Sequence, residues 1–258
     1  MIRQLARPCA LAAALIITAA CGSKDVIPQN VANPDRFLFD RGEAALKKRD
    51  WIEAREYYRQ VFDNYPQSPL RPDAKLGIAD TYLGEKSTES LVLADGEYRE
   101  FLTFYPRHAR ADYAQFKLAM TYFQQMRAAD RDQTSTKEAL TEFQVFFDRF
   151  PDSPLIPEAR KNWRVARDRL SDSELSAATT YRNMGVLRGA ESRLLALLKD
   201  DPNYTHRDQI YFELAELYLR TDNTKARALP WYQRLVDEFT QSEFLERAQK
   251  RLKELNAK

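Results

Sequence analysis

The amino-acid sequence predicts an all-α fold in which pairs of helices repeat and stack into a solenoid. A four-position motif returns five times along the 258 residues. Only seven glycines are present, which leaves few tight turns. No stretch alternates apolar and polar residues over the length of a β-strand. Together these observations favour helices throughout.

The repeated motif is Ala, a large apolar residue four positions later, another three after that, and usually Pro after five more. These offsets place three side chains on one helix face, with a stop just beyond. The pattern is typical of the second helix of a tetratricopeptide repeat, so we expect a right-handed α-solenoid of about five such helix-turn-helix units. The copies are Ala54-Tyr58-Val61-Pro66, Ala94-Tyr98-Phe101-Pro106, Ala139-Phe143-Phe146-Pro151, Ala190-Leu194-Leu197-Pro202 and Ala228-Tyr232-Leu235-Thr240.

A second pattern precedes the copies and indicates the first helix of each pair. A small residue lies three positions before a tyrosine at Ala79 and Tyr82, Ala119 and Tyr122, Ala178 and Tyr181, and Ala215 and Tyr218. In the first pair Gly42 and Ala45 take this part. The repeat domain is therefore expected over residues 35–258, with repeats at 35–68, 69–108, 109–153, 154–204 and 205–242 and a closing helix at 243–258.

The motif copies lie 40, 45, 51 and 38 residues apart, farther than the 34 of a standard tetratricopeptide repeat. Residues 124–136 are expected to form a charged link in the third repeat. Residues 157–182 are expected to form one long helix in the fourth, although a break at Ser171 is the alternative. Pro230 should either remove a backbone hydrogen bond inside the last motif helix or mark its start.

Helix starts are indicated by small polar residues. Ser68 and Ser153 each precede a proline and are expected to be N-caps. Ser135 and Glu138 have capping-box spacing, which predicts another helix start at Ser135.

The N-terminal segment predicts a processed lipoprotein. Residues 1–20 have arginines followed by an apolar run that is too short to span a bilayer, as in a signal peptide. The small residues before Cys21 resemble a bacterial lipobox, which predicts acylation of Cys21. The alternative is an ordinary cleavage site. We favour the lipobox because no other cysteine remains after processing. Residues 21–34 are expected to be a polar tether, and Gly22 in place of Asp indicates the outer membrane, on its periplasmic face.

The composition argues against nucleic-acid binding and against catalysis. Without the signal peptide's two arginines, the 40 basic residues fall to 38 and equal the 38 acidic residues, so no basic excess exists to replace counterions. His108 and His206 are far apart and lack neighbours at metal-ligand spacing. No nucleophile motif or phosphate-binding loop occurs. We therefore expect no enzyme activity, no cofactor and no metal site.

Most aromatic residues, which make up 12% of the chain, are expected in the core. Binding residues should lie on the concave side, at first-helix positions that the motif does not fix. The candidates for substrate binding are Phe37, Asp40, Arg41, Asp80 and Thr81.

Two segments resemble the BamD family, lipoprotein subunits of the outer-membrane β-barrel assembly machinery, and the resemblance extends over essentially the whole mature chain. Asp-Arg-Asp-Gln-Thr at 130–134 and Phe-Pro-Asp-Ser at 150–153 are similar to the family's charged insertion and the turn that ends its third repeat. The second segment has Glu174, Ala177-Ala178, Tyr181, Gly185 and Ser192-Arg193. Thr180 and Ser192 depart from the family's Tyr and Asn.

The resemblance implies a non-catalytic scaffold for barrel assembly. In the family, the Arg matching Arg193 helps bind the POTRA region of the barrel-forming insertase, so Arg193, Tyr181 and Glu174 are expected at that interface. By the same resemblance, the first two repeats are expected to receive unfolded outer-membrane proteins, with accessory lipoproteins as further candidate partners.

Two other classes of function remain as alternatives. A different periplasmic repeat adaptor, coordinating envelope constriction or peptidoglycan synthesis, would share the fold, because one repeat fold serves many partners. An envelope enzyme with appended repeats is disfavoured because no residues remain outside the repeats to build its active site.

Overall fold

The computed structural model describes residues 31–221 and 225–257, and over these ranges it contains eleven α-helices and no strand. The all-α prediction is confirmed. Signal peptide, Cys21 and most of the tether lie outside the described residues. The helices are α1 Pro34–Lys47, α2 Trp51–Asn64, α3 Arg71–Glu85, α4 Thr88–Phe104, α5 Ala111–Phe123, α6 Thr134–Arg149, α7 Ile156–Asn183, α8 Leu187–Asp200, α9 Arg207–Thr221, α10 Lys225–Glu238 and α11 Leu245–Asn256.

Each helix packs against the next along the chain, so the molecule is a helical repeat solenoid of five helix pairs closed by α11. The fifteen apolar motif positions are all buried, and none is more than 4% exposed. Because burying one large apolar side chain contributes about 1.5–3 kcal/mol, these positions account for much of the packing energy. The motif therefore specifies the faces that join the helices.

Close helix approach around Tyr58 depends on glycine. A Cβ atom added at Gly42 would lie 2.7 Å from the Tyr58 ring, and one at Gly77 would lie 2.6 Å from it. Real Cβ contacts are longer than this. The ring is therefore held between α1 and α3, and any side chain at either glycine would push the helices apart.

Tyrosines of the second helices donate hydrogen bonds to acidic residues of the first helices. In each case the acid directly follows the small residue of the first helix. The pairs are Tyr58 with Glu43 at 2.8 Å, Tyr98 with Asp80 at 2.6 Å and Tyr232 with Glu216 at 2.6 Å. In the other two helix pairs Phe143 and Leu194 lack a hydroxyl, and Met120 and Thr179 stand where the acid would be. Each helix pair therefore has both the tyrosine hydroxyl and the acidic residue, or neither of them.

The expected N-caps at Ser68 and Ser153, in the turns between helix pairs, are wrong. α3 begins at Arg71 with Leu70 as its N-cap, and α7 begins at Ile156 with Leu155 as its N-cap. The serines lie two residues before those caps, and each accepts the cap's own N–H at 3.1 and 3.2 Å. Their hydroxyls instead donate back to the first turn of an earlier helix: Ser68 to Asp35 and Ser153 to Asp112, both at 2.6 Å.

The expected cap at Ser135 is also wrong, because α6 begins one residue earlier, at Thr134. Asp132 accepts the Thr134 N–H at 3.1 Å and so supplies the carboxylate at this helix start. The charged link expected over residues 124–136 is non-helical over 124–133, whereas its last three residues belong to α6. Gln133 holds it together by donating to the carbonyls of Ala128 and Arg131 at 2.8 and 3.0 Å.

The long helix α7 is confirmed as continuous through Ser171. Its N-terminal part packs with α5 and α6 through Ala159, whereas Leu175 belongs to the core of the last helices. Between these two cores, Arg164 donates two hydrogen bonds to Asp201, at 2.9 and 2.5 Å. Ser171 donates to the same carboxylate at 2.7 Å. A buried polar cluster thus joins the middle of α7 to the end of α8.

Pro230 lies inside α10, which is described from Lys225 onward. The alternative that Pro230 marks the helix start is therefore wrong. Since proline has no N–H, one backbone hydrogen bond is missing in this helix.

Candidate partner-binding surfaces

The antiparallel α7–α8 hairpin brings together three residues that the sequence places up to 19 positions apart. Arg193 Nη1 donates to Glu174 Oε2 at 2.9 Å. The Arg193 guanidinium carbon lies 4.8 Å from the centre of the Tyr181 ring, which is a cation–π distance. Gly185 makes the reversal possible because its φ of 79° is in the left-handed region.

Gly189 sets the position of the Tyr181 ring. A Cβ atom at Gly189 would lie 2.7 Å from Tyr181 Cδ1. The absent side chain therefore lets the ring lie against the start of α8, where it meets Arg193. The two paired side chains remain accessible to a partner: 38% of the Arg193 side chain and 51% of the Glu174 side chain are exposed.

Arg193 is held as a permanent cation. Hydrogen bonding to Tyr181, together with the negative charge of Glu174, raises the pKa of Arg193 above its ordinary value. An exposed, always charged and oriented guanidinium suits bidentate recognition of a carboxylate.

Two exposed apolar residues lie at the tip of the same hairpin. Met184 is 73% exposed and Val186 is 46% exposed, next to Tyr181 at 36%. Met, aromatic and Arg side chains are enriched at protein–protein interfaces. Sequence reasoning missed Met184 and Val186, although apolar residues flanking a turn glycine were a usable signal. We define Tyr181, Met184, Val186 and Arg193 as the hairpin surface.

A groove of about 300 Å³ continues from the hairpin surface between α7 and α8. Leu170 and Leu197 contribute its apolar lining, and Lys137 of α6 closes one side. Glu174 and Arg193 also line it, so the groove and the hairpin surface form one continuous region.

The five substrate-binding candidates divide into two groups. On α1, Phe37 is half-buried, Asp40 is exposed and pairs with Arg36 at 2.9 Å, and Arg41 donates to Tyr57 at 3.1 Å. These residues lie at or near the surface of the first helix.

Asp80 and Thr81 on α3 take part in helix packing. Asp80 accepts hydrogen bonds from Tyr98 at 2.6 Å and from Tyr113 at 3.0 Å. Burial raises the pKa of Asp80, although both tyrosine hydrogen bonds act in the opposite direction. Thr81 is fully buried and accepts from Arg55 at 3.0 Å. We therefore assign Thr81 to the packing between α2 and α3 and not to a binding face.

Asp80 also borders a cavity of about 250 Å³ whose walls come from α1, α3 and α5 and the start of α2. Trp51 forms one wall and lies against Gly84, where a Cβ would be 2.7 Å from the indole. The Lys117 ammonium lies 5.3 Å from the Tyr113 ring centre at another wall. Sequence reasoning missed Trp51 and Lys117 because the motif does not show which helix faces converge.

No group of three His, Cys, Asp or Glu side chains close enough to hold a metal ion occurs within residues 31–221 and 225–257. Over the same ranges, none of the helices has the length and apolar character needed to cross a bilayer.

Comparison with known proteins places the chain among envelope lipoproteins. A family described as "YfiO: Outer membrane lipoprotein" matches residues 31–227, more than half of the chain. The outer membrane protein assembly factor BamD of Caulobacter vibrioides is 28% identical over 220 residues, which are 83% of this chain and 70% of that protein.

Among solved structures, tetratricopeptide repeat proteins are similar in outline. A thermophilic repeat protein of Thermus thermophilus is 16% identical, with a TM-score of 0.37, over 87% of this chain and 100% of that one. One from Parabacteroides merdae is 14% identical, with a TM-score of 0.38, over 87% and 99%. At such low scores the fold assignment rests on the helices themselves.

Proposed function

This chain belongs to the YfiO family of outer membrane lipoproteins, and on that premise we propose that it is a non-catalytic scaffold for the assembly of β-barrel proteins. The observation that carries the proposal is the hairpin surface, where an oriented Arg193 lies among exposed apolar side chains. The name of the Caulobacter relative, an outer membrane protein assembly factor, supports the same process.

Attachment to the outer membrane is proposed to occur through acyl chains on Cys21, on the periplasmic face. Burial of two or more chains, at about 0.8 kcal/mol per methylene, anchors a protein stably, whereas one chain does not. A Cys21→Ser variant is then expected in the soluble fraction after a high-salt wash. Its continued sedimentation with membranes would contradict acylation as the anchor.

The hairpin surface is proposed to bind the POTRA region of the barrel-forming insertase. Arg193 would pair with a carboxylate of the insertase, while Tyr181, Met184 and Val186 would lose water on contact. Hot spots of protein interfaces combine such residues, with an Arg or aromatic residue at the centre. Glu174 holds Arg193 over Tyr181 before binding, which reduces the ordering cost of association.

Charge reversal at Arg193 tests this interface. Arg193→Glu should lower co-purification of the insertase at least tenfold, because it replaces the cation with a second carboxylate next to Glu174. Lys199→Glu is the matched control: the same charge change on the same helix, at an exposed position that does not line the groove. Equal recovery of the insertase with both variants at moderate salt would refute the assignment.

The cavity bordered by Trp51, Asp80 and Lys117 is proposed to receive unfolded barrel proteins. Trp51 offers an apolar wall and Lys117 a cation, so an aromatic residue next to a carboxylate would fit. Lys117→Glu should weaken binding of a peptide from the C-terminal strand of a barrel protein about fivefold in a fluorescence titration. Unchanged affinity would remove this cavity from the client site.

A further inference from the structure

A groove at the C-terminal end of the solenoid takes no part in the surfaces described above. It encloses about 260 Å³ between α9 and α11. Phe212, only 4% exposed, lines it. The Phe212 ring stacks on Phe244 with 5.2 Å between ring centres and 28° between planes. The groove thus has a flat aromatic wall supported from behind.

Arg247 lies over this wall with its charge uncompensated. Its guanidinium carbon is 4.3 Å from the centre of the Phe212 ring and 5.9 Å from that of Phe244. Stacking uses the face of the guanidinium and leaves the N–H donors at its edge for hydrogen bonding. Within the described parts of the chain, the Arg247 side chain forms no hydrogen bond and no ion pair.

Lys250 lies three residues farther along α11 and also lines the groove. Residues three apart on a helix lie side by side, with Cβ atoms about 5–6 Å apart. Like Arg247, Lys250 has no carboxylate partner among residues 31–221 and 225–257. Two cations can therefore approach one anionic group from the same side.

The carboxylates of the groove are already occupied. Arg251 pairs with Glu216 through two hydrogen bonds, at 2.9 and 3.1 Å, and with Glu254 at 3.3 Å. Glu216 additionally accepts from Tyr232 at 2.6 Å. Since Arg251 is the cation that these acids hold, Arg247 and Lys250 supply the free positive charge.

We propose that this groove binds an acidic side chain from an extended segment of a partner protein. The carboxylate would lie between Arg247 and Lys250, and an adjoining apolar side chain would lie against the small part of Phe212 that lines the groove. The volume suits one or two side chains of a peptide. A phosphate headgroup is the competing occupant that the test separates from it. The site is separate from the hairpin surface and stands or falls independently of the insertase contact.

Two fluorescein-labelled peptide pools test the proposal on the full-length lipidated protein in detergent. Each ten-residue peptide has Glu-Phe, or Gln-Phe in the second pool, within a random background of Ser, Gly, Ala and Thr. Fluorescence anisotropy should show saturable binding of the Glu pool, at least tenfold tighter than that of the Gln pool, because only the carboxylate can pair with both cations.

Variants then assign the binding to the groove. Arg247→Glu combined with Lys250→Glu should abolish binding, and the milder pair Arg247→Gln with Lys250→Gln should weaken it about tenfold. Lys161→Glu combined with Lys199→Glu changes exposed lysines outside the groove by the same charge and should bind within twofold of the original protein. Circular dichroism checks that each variant folds.

Three outcomes would overturn the proposal: no saturable binding of the Glu pool, equal loss in the control pair, or equal binding of both pools. Short-chain phosphatidylglycerol below its micelle concentration serves as the lipid probe. If it binds with the same dependence on Arg247 and Lys250 while the Glu pool does not, the groove is a lipid site and the peptide proposal is wrong.

Discussion

At the scale of single residues, the carboxylate of Asp201 shows how a buried charge is tolerated in this protein. Only 3% of the residue is exposed, yet Arg164 and Ser171 supply three hydrogen bonds to it. Burial raises the pKa of Asp201, but these partners outweigh it, and the net pKa lies below the ordinary value. The folded state therefore favours the ionised form.

This shift predicts how stability depends on pH. Because the folded pKa lies below the unfolded value of about 3.9, Asp201 stabilises the fold at neutral pH. That contribution is lost as the pH falls through the folded pKa. Asp201→Asn should reduce the free energy of unfolding by about 3 kcal/mol at pH 7, since it leaves Arg164 without its main partner.

Urea unfolding of the original protein and the Asp201→Asn variant, at pH 7 and at about pH 3, tests this prediction. The difference in midpoint between the original protein and the Asn variant should be large at pH 7 and smaller in acid. A difference that stays constant, or that grows in acid, would mean that Asp201 is not ionised in the folded state.

At the scale of elements, the α7–α8 hairpin depends on two glycines with different roles. Gly185 turns the chain with a positive φ, whereas Gly189 leaves room for the Tyr181 ring. Only the second acts on the proposed interface without acting on the turn. Gly96 on α4 offers a contrast, because a Cβ there would have nothing within 4 Å.

Gly189→Ala should therefore displace Tyr181 from Arg193 and lower insertase recovery about three- to tenfold, with little loss of helix content. Gly96→Ala is the matched control and should leave recovery unchanged, while stabilising α4 by about 0.5–1 kcal/mol through helix propensity. Pull-down and thermal melting of both variants measure these effects. Full recovery with Gly189→Ala would show that the Tyr181 position is not needed for binding.

The elements were more predictable from sequence than the sites. The spacing of the motif residues indicates which helix face is buried, and the motif positions are all buried in the structure. The continuity of α7 was also predicted correctly. The serines at helix starts misled because a hydroxyl two residues before a cap has the same sequence neighbours as a cap. Arg193 was expected only through family resemblance, and the structure places Tyr181 and Glu174 beside it.

Sites escaped prediction where they depend on how separate helices converge. Trp51 and Lys117 line one cavity although they lie on α2 and α5, and nothing in either helix alone indicates the other. Asp80 was expected at a binding face, and sequence alone did not show that a hydroxyl from α4 and another from α5 also hydrogen-bond to it while it borders the cavity. Helix periodicity contains no information on such pairings.

At the scale of the whole molecule, the three proposed binding surfaces lie at different positions along the solenoid. The cavity bordered by Trp51 and Lys117 lies in the first three helix pairs, the hairpin surface in the fourth, and the groove lined by Phe212 between α9 and α11 at the end. Because each helix packs mainly on its neighbours in sequence, distant surfaces can bind different partners without sharing residues. This arrangement suits a scaffold.

The most direct test of the proposed scaffold function in barrel assembly is the amount of folded β-barrel protein in the outer membrane after depletion of this protein from its host. Heat-modifiable gel mobility distinguishes folded from unfolded barrels. The scaffold function predicts a several-fold fall in folded barrels that re-expression of the original protein reverses and that Arg193→Glu does not. Normal levels of folded barrels after complete depletion would contradict the assignment to barrel assembly.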